Sequence, residues 1–263
     1  IKLKLNAILK DEGLKWHPPV NDFPLKKDSD RSGCIVEWFS PYIDLRSGKI
    51  PDQMYVAFQD PYAHDKDIKN LSIKDSLGAT YIFENVNKFT PYQGGIPVAA
   101  YIGRPESMDT YNEQTALLLQ RYNAKMMFEN DRGDTKRFMQ ARRLLHYLYE
   151  EPEMQFARDI QGKTGRGYGM HMTDKRKAKG AIYLRDLLNT KVGTFPDGSP
   201  KLVYHYIYDL GLLSELERWN MTGNFDRVSA WLVGTFIIKE LEHIELTPPK
   251  ATSATSFFNR PHF

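Results

Sequence analysis

Three acidic residues stand where an apolar run meets a break. Tyr55–Gln59 has strand character, Asp60 follows it, and Pro61 stops the pattern. Lys125-Met126-Met127-Phe128 likewise ends on Glu129, just before the turn residues Asn130-Asp131-Arg132-Gly133. Asp226, within Asn224-Phe225-Asp226-Arg227-Val228, heads the apolar stretch Ser229–Ile238. Each acid alone has an ordinary explanation, as a turn residue or as a carboxylate favoured by a helix dipole. Brought to one point, the three would repel unless a cation lay between them. An all-oxygen set of this kind suits hard divalent ions such as Mg²⁺ or Mn²⁺. Two such ions about 4 Å apart activate a water and stabilise the leaving oxygen of a phosphodiester. Asp60 is then the natural bridging ligand, with Glu129 on one ion and Asp226 on the other.

The elements that must carry these acids are of mixed type. Strands are expected at Tyr55–Gln59, Ala79–Val86, Val98–Ile102 and Ala124–Phe128, with a shorter one at Cys34–Phe39. Helical spacing appears over Thr110–Tyr122, Asp134–Tyr149, Asp174–Leu188, Leu210–Trp219 and Asp226–His243. Leu202–Tyr208 reads as a further strand, after a turn at Phe195-Pro196-Asp197-Gly198. Strands in a run, then strands alternating with helices, point to an α/β fold with an antiparallel edge. Ligand sites of open α/β sheets gather at the carboxyl ends of strands, where Asp60 and Glu129 are expected.

Composition narrows the possibilities. The 263 residues are 41% hydrophobic and 26% charged, ordinary for a water-soluble fold with a sizeable core. No apolar stretch approaches the roughly 18 residues of a membrane span, so no membrane partner is expected. Cys34 stands alone, which excludes an internal disulfide framework and fits a reducing, intracellular setting. The seven histidines show no ligand spacing. The formal net charge of +3 is unevenly spread. From Arg158 to Arg185 eight basic residues face only Asp159 and Asp174, so the rest of the chain is net acidic. Such a strip is either a solvated helix face or a surface for a polyanion.

The ordered motifs resemble a known family. VAFQDPYAHDKD (56–67), YNAKMMFEN (122–130), YGMHMTDKRKAKGAIYLRDLL (168–188) and NFDRVSAWLVGTFI (224–237) are similar, in this order, to the C-terminal nuclease domain of the large terminase subunit of tailed bacteriophages. That resemblance covers roughly residues 50–243. It implies a ribonuclease H-like fold, a mixed central sheet flanked by helices. It also implies a metal-dependent endonuclease that cuts double-stranded viral DNA concatemers during packaging, in the cytoplasm of an infected bacterium. Asp60, Glu129 and Asp226 carry over as metal ligands, with Asp67 or Asp65 as an auxiliary acid. The implied partners are an ATPase domain, a small terminase subunit and a portal protein. Many members show two adjacent acids at the third motif, whereas here Asp226 is followed by Arg227; Asp209 is a rival acid, also explained as a helix cap.

Under this reading residues 1–50 form a lead-in from an ATPase domain, 51–246 the nuclease domain, and 247–263 a mobile tail. A chain opening on Ile1 fits an excised domain. Gly162-Lys163-Thr164 is not a phosphate loop, because the glycine needed five positions earlier is Ala157 and no strand precedes it. Lys175, Arg176, Lys177, Lys179 and Arg166, reached through a glycine-rich stretch, are expected to hold the DNA backbone. His64 is close enough in sequence to Asp60 to touch substrate or metal-bound water, but a surface-loop histidine is the better explanation. A Holliday-junction resolvase and a non-catalytic docking module for DNA or portal remain as alternatives.

Overall fold

The computed structural model describes residues 31–62, 76–91, 93–131, 134–153, 167–242, 246–247 and 249. Five strands form one mixed sheet: β1 (Cys34–Glu37), β2 (Tyr55–Asp60), β3 (Gly78–Glu84), β4 (Ile96–Gly103) and β5 (Lys125–Phe128). Their spatial order is β1-β4-β3-β2-β5. β2, β3 and β4 form an antiparallel meander, β1 extends its far edge antiparallel to β4, and β5 runs parallel to β2. The parallel pair requires a crossover, supplied by α1 (Met108–Tyr122) between β4 and β5. Asn123 ends α1 in the left-handed conformation, φ 48°, which an Asn side chain tolerates.

All six residues of β2 are buried, because helices cover both faces of the sheet. Val56 and Phe58 point to one face, against α5 (Asp226–Leu241). Tyr55 and Ala57 point to the other, against α1. This period-two division places Met127 with Phe58, and Met126 and Phe128 with Tyr55. Burying one side chain such as Phe58 contributes roughly 1.5–3 kcal/mol before entropy is counted. α5 is apolar nearly all round because it lies between β2 and β3 on one side and α3 (Asp174–Leu188) on the other. Gly234 lets α5 approach β2 closely: a Cβ there would lie 2.1 Å from a Phe58 ring carbon. The result is the mixed sheet flanked by helices expected of the ribonuclease H-like class.

Two expected elements differ. The helix expected over Asp134–Tyr149 is only α2 (Thr135–Ala141), followed by a 3₁₀ turn at Leu145–Tyr147. Arg143 takes φ 60°, a conformation that breaks a helix, and Leu148 then bridges Met126 as an extended residue beside β5. The strand expected at Leu202–Tyr208 is mostly a 3₁₀ turn, Val203–Tyr206. Only its first residue, Leu202, belongs to β7 (Pro200–Leu202), which pairs with β6 (Lys191–Thr194), an element without sequence warning. The hairpin turns at Gly198, φ 86°, as the Phe-Pro-Asp-Gly run predicts. α4 (Leu210–Arg218) completes the described elements. Among the described residues no helix is long and apolar enough to cross a membrane.

Candidate active site

The β2–β5 pair decides where the first two acids lie. Val56 pairs with Lys125 and Gln59 with Phe128, and the Glu129 amide then donates to the Gln59 carbonyl at 3.1 Å. Asp60 and Glu129 therefore stand at adjacent strand tips, with only 6% and 8% of their surfaces exposed. Pro61, lacking an N–H, ends the ladder there. Burial holds the Tyr111 hydroxyl well above its usual pKa, and the nearby Asp60 charge adds a smaller push.

A third segment is sewn to the tip of β5. Met170 donates to the Phe128 carbonyl at 2.9 Å, and Asn130 donates back to the Met170 carbonyl at 3.2 Å. Gly169 makes this approach possible, since φ is 72° and a Cβ would fall 2.8 Å from the Phe128 oxygen. Four residues later α3 begins, with the Thr173 hydroxyl accepting from the Arg176 amide at 3.4 Å. Asp60, Glu129 and Lys177 line one cavity of about 260 Å³, together with Ser76, Ser229 and the loop 221–225.

Asp226 is the first residue of α5 and is 7% exposed. It does not line that cavity. Its Oδ1 accepts from the Ser76 hydroxyl at 2.8 Å and its Oδ2 from the Leu77 amide at 2.7 Å, so it anchors the chain leading into β3. Ser76 in turn does line the cavity. The structure thus brings Asp60 and Glu129 together and sets Asp226 one hydrogen bond behind. Among the described residues no group of three or more His, Cys, Asp or Glu is arranged to hold a metal. Asp65, Asp67, His64 and Arg166 lie outside the described residues, as does Gly162-Lys163-Thr164.

The rival acid Asp209 is fully buried and elsewhere engaged. It accepts from the Gly211 amide at 2.9 Å as the cap of α4, from the Tyr81 hydroxyl, and from Arg227 Nε at 3.1 Å. Burial pushes its pKa up, and Arg227 draws it part of the way back.

The basic strip divides. Lys175 is exposed, and Lys179 is half-buried with its ammonium 5.4 Å from the Tyr183 ring centre. Arg176 is 8% exposed and forms a buried ion pair with Glu151. Its Nη1 also donates to the His171 carbonyl at 2.7 Å. On a helix with about 100° between successive residues, the inward turn of Arg176 sends its neighbours elsewhere. Sequence reasoning missed Ser76 and the 221–225 loop. The loop had a signal, the turn-forming run Asn220–Asn224: Asn220 Oδ1 accepts from the amides of Thr222 and Gly223 at 3.0 and 2.9 Å. Ser76 had none.

No protein-family model matches the sequence, and no curated protein matches it. Among solved structures, the large terminase nuclease from thermophilic phage G20c with bound zinc overlaps with a TM-score of 0.46 at 10% identity, over 87% of this chain and 97% of that one. The same nuclease with bound magnesium overlaps with a TM-score of 0.38 at 8% identity, over 82% and 92%. Over most of its length the chain resembles the nuclease domain of a phage large terminase.

Proposed function

We propose that the chain is a metal-dependent endonuclease that cuts double-stranded viral DNA concatemers during genome packaging. The observation that carries this reading is the pairing of Asp60 and Glu129 on adjacent strand tips, facing one cavity that also holds Lys177. Two nearly buried carboxylates side by side repel each other, and a hard divalent cation is the simplest remedy. The donor set fits that ion class: the cavity offers carboxylate and hydroxyl oxygens and, among the described residues, no thiol or imidazole. Asp60 and Glu129 would hold the two Mg²⁺ or Mn²⁺ ions, with Asp226 and one of Asp65 or Asp67 completing the set. Bound there, such ions supply Lewis-acid stabilisation of the phosphate oxygens and ease deprotonation of the attacking water.

Hydrolysis forms one bond from a water oxygen to phosphorus and breaks one phosphorus–oxygen ester bond. The water loses a proton and the departing oxygen gains one, so water is the sole co-reactant. The chain's own residues fix the geometry: the β-ladder holds Asp60 against Glu129, and α3 carries a cation to the same cavity. The acting setting is the cytoplasm of an infected bacterium, with the packaging ATPase domain, the small terminase subunit and the portal as partners.

Supercoiled plasmid incubated with Mn²⁺ or Mg²⁺ tests the reading. Nicked and linear products are expected, and Asp60→Asn and Glu129→Gln should each lower the rate at least about 100-fold. A wild-type protein that leaves plasmid intact at every metal concentration would rule it out. Strong preference for four-way junctions over linear duplex would indicate a resolvase instead.

A further inference from the structure

The run Lys175-Arg176-Lys177-Ala178-Lys179 opens α3, and its members do different things. Arg176, Gly180 and Leu184 are the buried residues of α3, spaced i, i+4, i+8. Each is tied down. Arg176 pairs with Glu151, where both side chains keep about a tenth of their exposure, and Gly180 lies flat on α5, where a Cβ would meet the Leu232 carbonyl at 3.2 Å. Glu151 is itself anchored, its amide donating to the Gly167 carbonyl at 2.8 Å. These interactions fix which side of α3 faces inward. Lys177, one step round from Arg176, is consequently held at the cavity wall with Asp60 and Glu129. It is half-buried, and among the described residues it forms no ion pair.

A lysine kept beside two carboxylates yet bonded to neither is poised for a third party, and an anionic phosphate entering between them is the chemistry that fits. We propose that Lys177 is a catalytic residue of this site, its ammonium holding a non-bridging oxygen of the scissile phosphate, and that the buried Arg176–Glu151 pair is the positioning device that aims it. This rests on the nuclease reading above. The lysine counters the repulsion that Asp60 and Glu129 exert on an incoming phosphate, and it stabilises charge that grows on those oxygens in the transition state. It acts on one phosphate, so its share of the affinity for a long duplex is small.

Single-turnover cleavage and equilibrium binding of the same duplex separate these roles. Lys177→Met should slow cleavage by about 100-fold while changing the dissociation constant less than about threefold, and Lys177→Arg should recover part of the rate. Arg176→Met should also slow cleavage, but in a Lys177→Met background it should cost no further rate, since it works through the lysine. Folding of each variant is checked by thermal melting, and assays are run below the transition. A Lys177→Met protein that cuts at the wild-type rate, or that loses affinity as much as rate, overturns the catalytic role. Additive losses in the double variant overturn the positioning role. Both results presuppose an active wild type; a wild type that never cuts sinks the nuclease reading and this proposal together.

Discussion

Arg227 turns away from the cavity that its neighbour Asp226 approaches and reaches back to Asp209, its Nε donating to Asp209 Oδ2 at 3.1 Å. Its Nη1 donates to Glu215 Oε1 at 2.9 Å, and Glu215 Oε2 accepts from the amides of Arg227 and Val228. Phe225, which precedes α5, makes no side-chain capping bond, so Glu215 of α4 caps α5 from a distance. This accounts for the arginine directly after Asp226. The position faces the α4–α5 contact, and a carboxylate there would meet Asp209 and Glu215.

Removing that arginine should be costly. Arg227→Met leaves Asp209 fully buried without its cation, and breaking one side of such a pair costs about 3–5 kcal/mol. Urea unfolding at neutral pH measures the loss. Arg227 holds the Asp209 pKa down against burial, so without it Asp209 takes up a proton at higher pH. The deficit should accordingly shrink as the pH falls. A loss below about 1 kcal/mol would show that the network contributes little.

The parts of this protein that were legible in sequence share a physical cause. β2 could be read because a strand-like run stops at Asp60-Pro61, and α3 because Ala181, Leu184 and Leu188 repeat at helical spacing. The short 3₁₀ turns could not, because Leu144, Leu145 and Leu148 satisfy a helical period while Arg143 takes a left-handed conformation no pattern announces. Asp60 and Glu129 came together as expected because parallel pairing puts both tips at one edge. Asp226 could be assigned to the start of α5, but not its hold on Ser76 and Leu77, since that interaction joins residues about 150 apart. The inward turn of Arg176 was hidden for a related reason: a charge run carries no mark of which member meets Glu151.

Glu84 offers a test by pH. It is fully buried on β3, with Oε1 accepting from Asn87 at 2.7 Å and Thr90 at 2.6 Å. Burial raises its pKa above the ordinary 4.5, and the hydrogen bonds from Thr90 and Asn87 offset only part of that. The folded protein therefore keeps this proton to higher pH than the unfolded chain does. The stabilisation linked to it is complete below the unfolded value and is lost as pH rises through the folded one. Glu84→Gln cannot ionise, so its stability relative to wild type should rise across that window and level off above it. Urea unfolding of both proteins from pH 4 to 8 gives the difference; parallel curves would mean that Glu84 titrates as it does in the unfolded chain.

The salt dependence of DNA binding should distinguish the surface lysines from the buried arginine. Lys175 is exposed on the first turn of α3, and the Lys179 ammonium lies 5.4 Å from the Tyr183 ring centre. For every phosphate on duplex DNA that a cation ceases to neutralise, the slope of log K against log salt falls by about 0.9. Lys175→Ala and Lys179→Ala should each reduce the slope by about that amount and weaken binding evenly across sequences. Arg176→Ala should leave the slope nearly unchanged and lower the melting temperature, since its charge is spent on Glu151 and not on solvent. Titrations of one duplex at several salt concentrations measure all three. A slope that falls for Arg176→Ala as much as for Lys175→Ala would mean that the ion pair opens when DNA binds, because a guanidinium held against Glu151 has no counterions to displace.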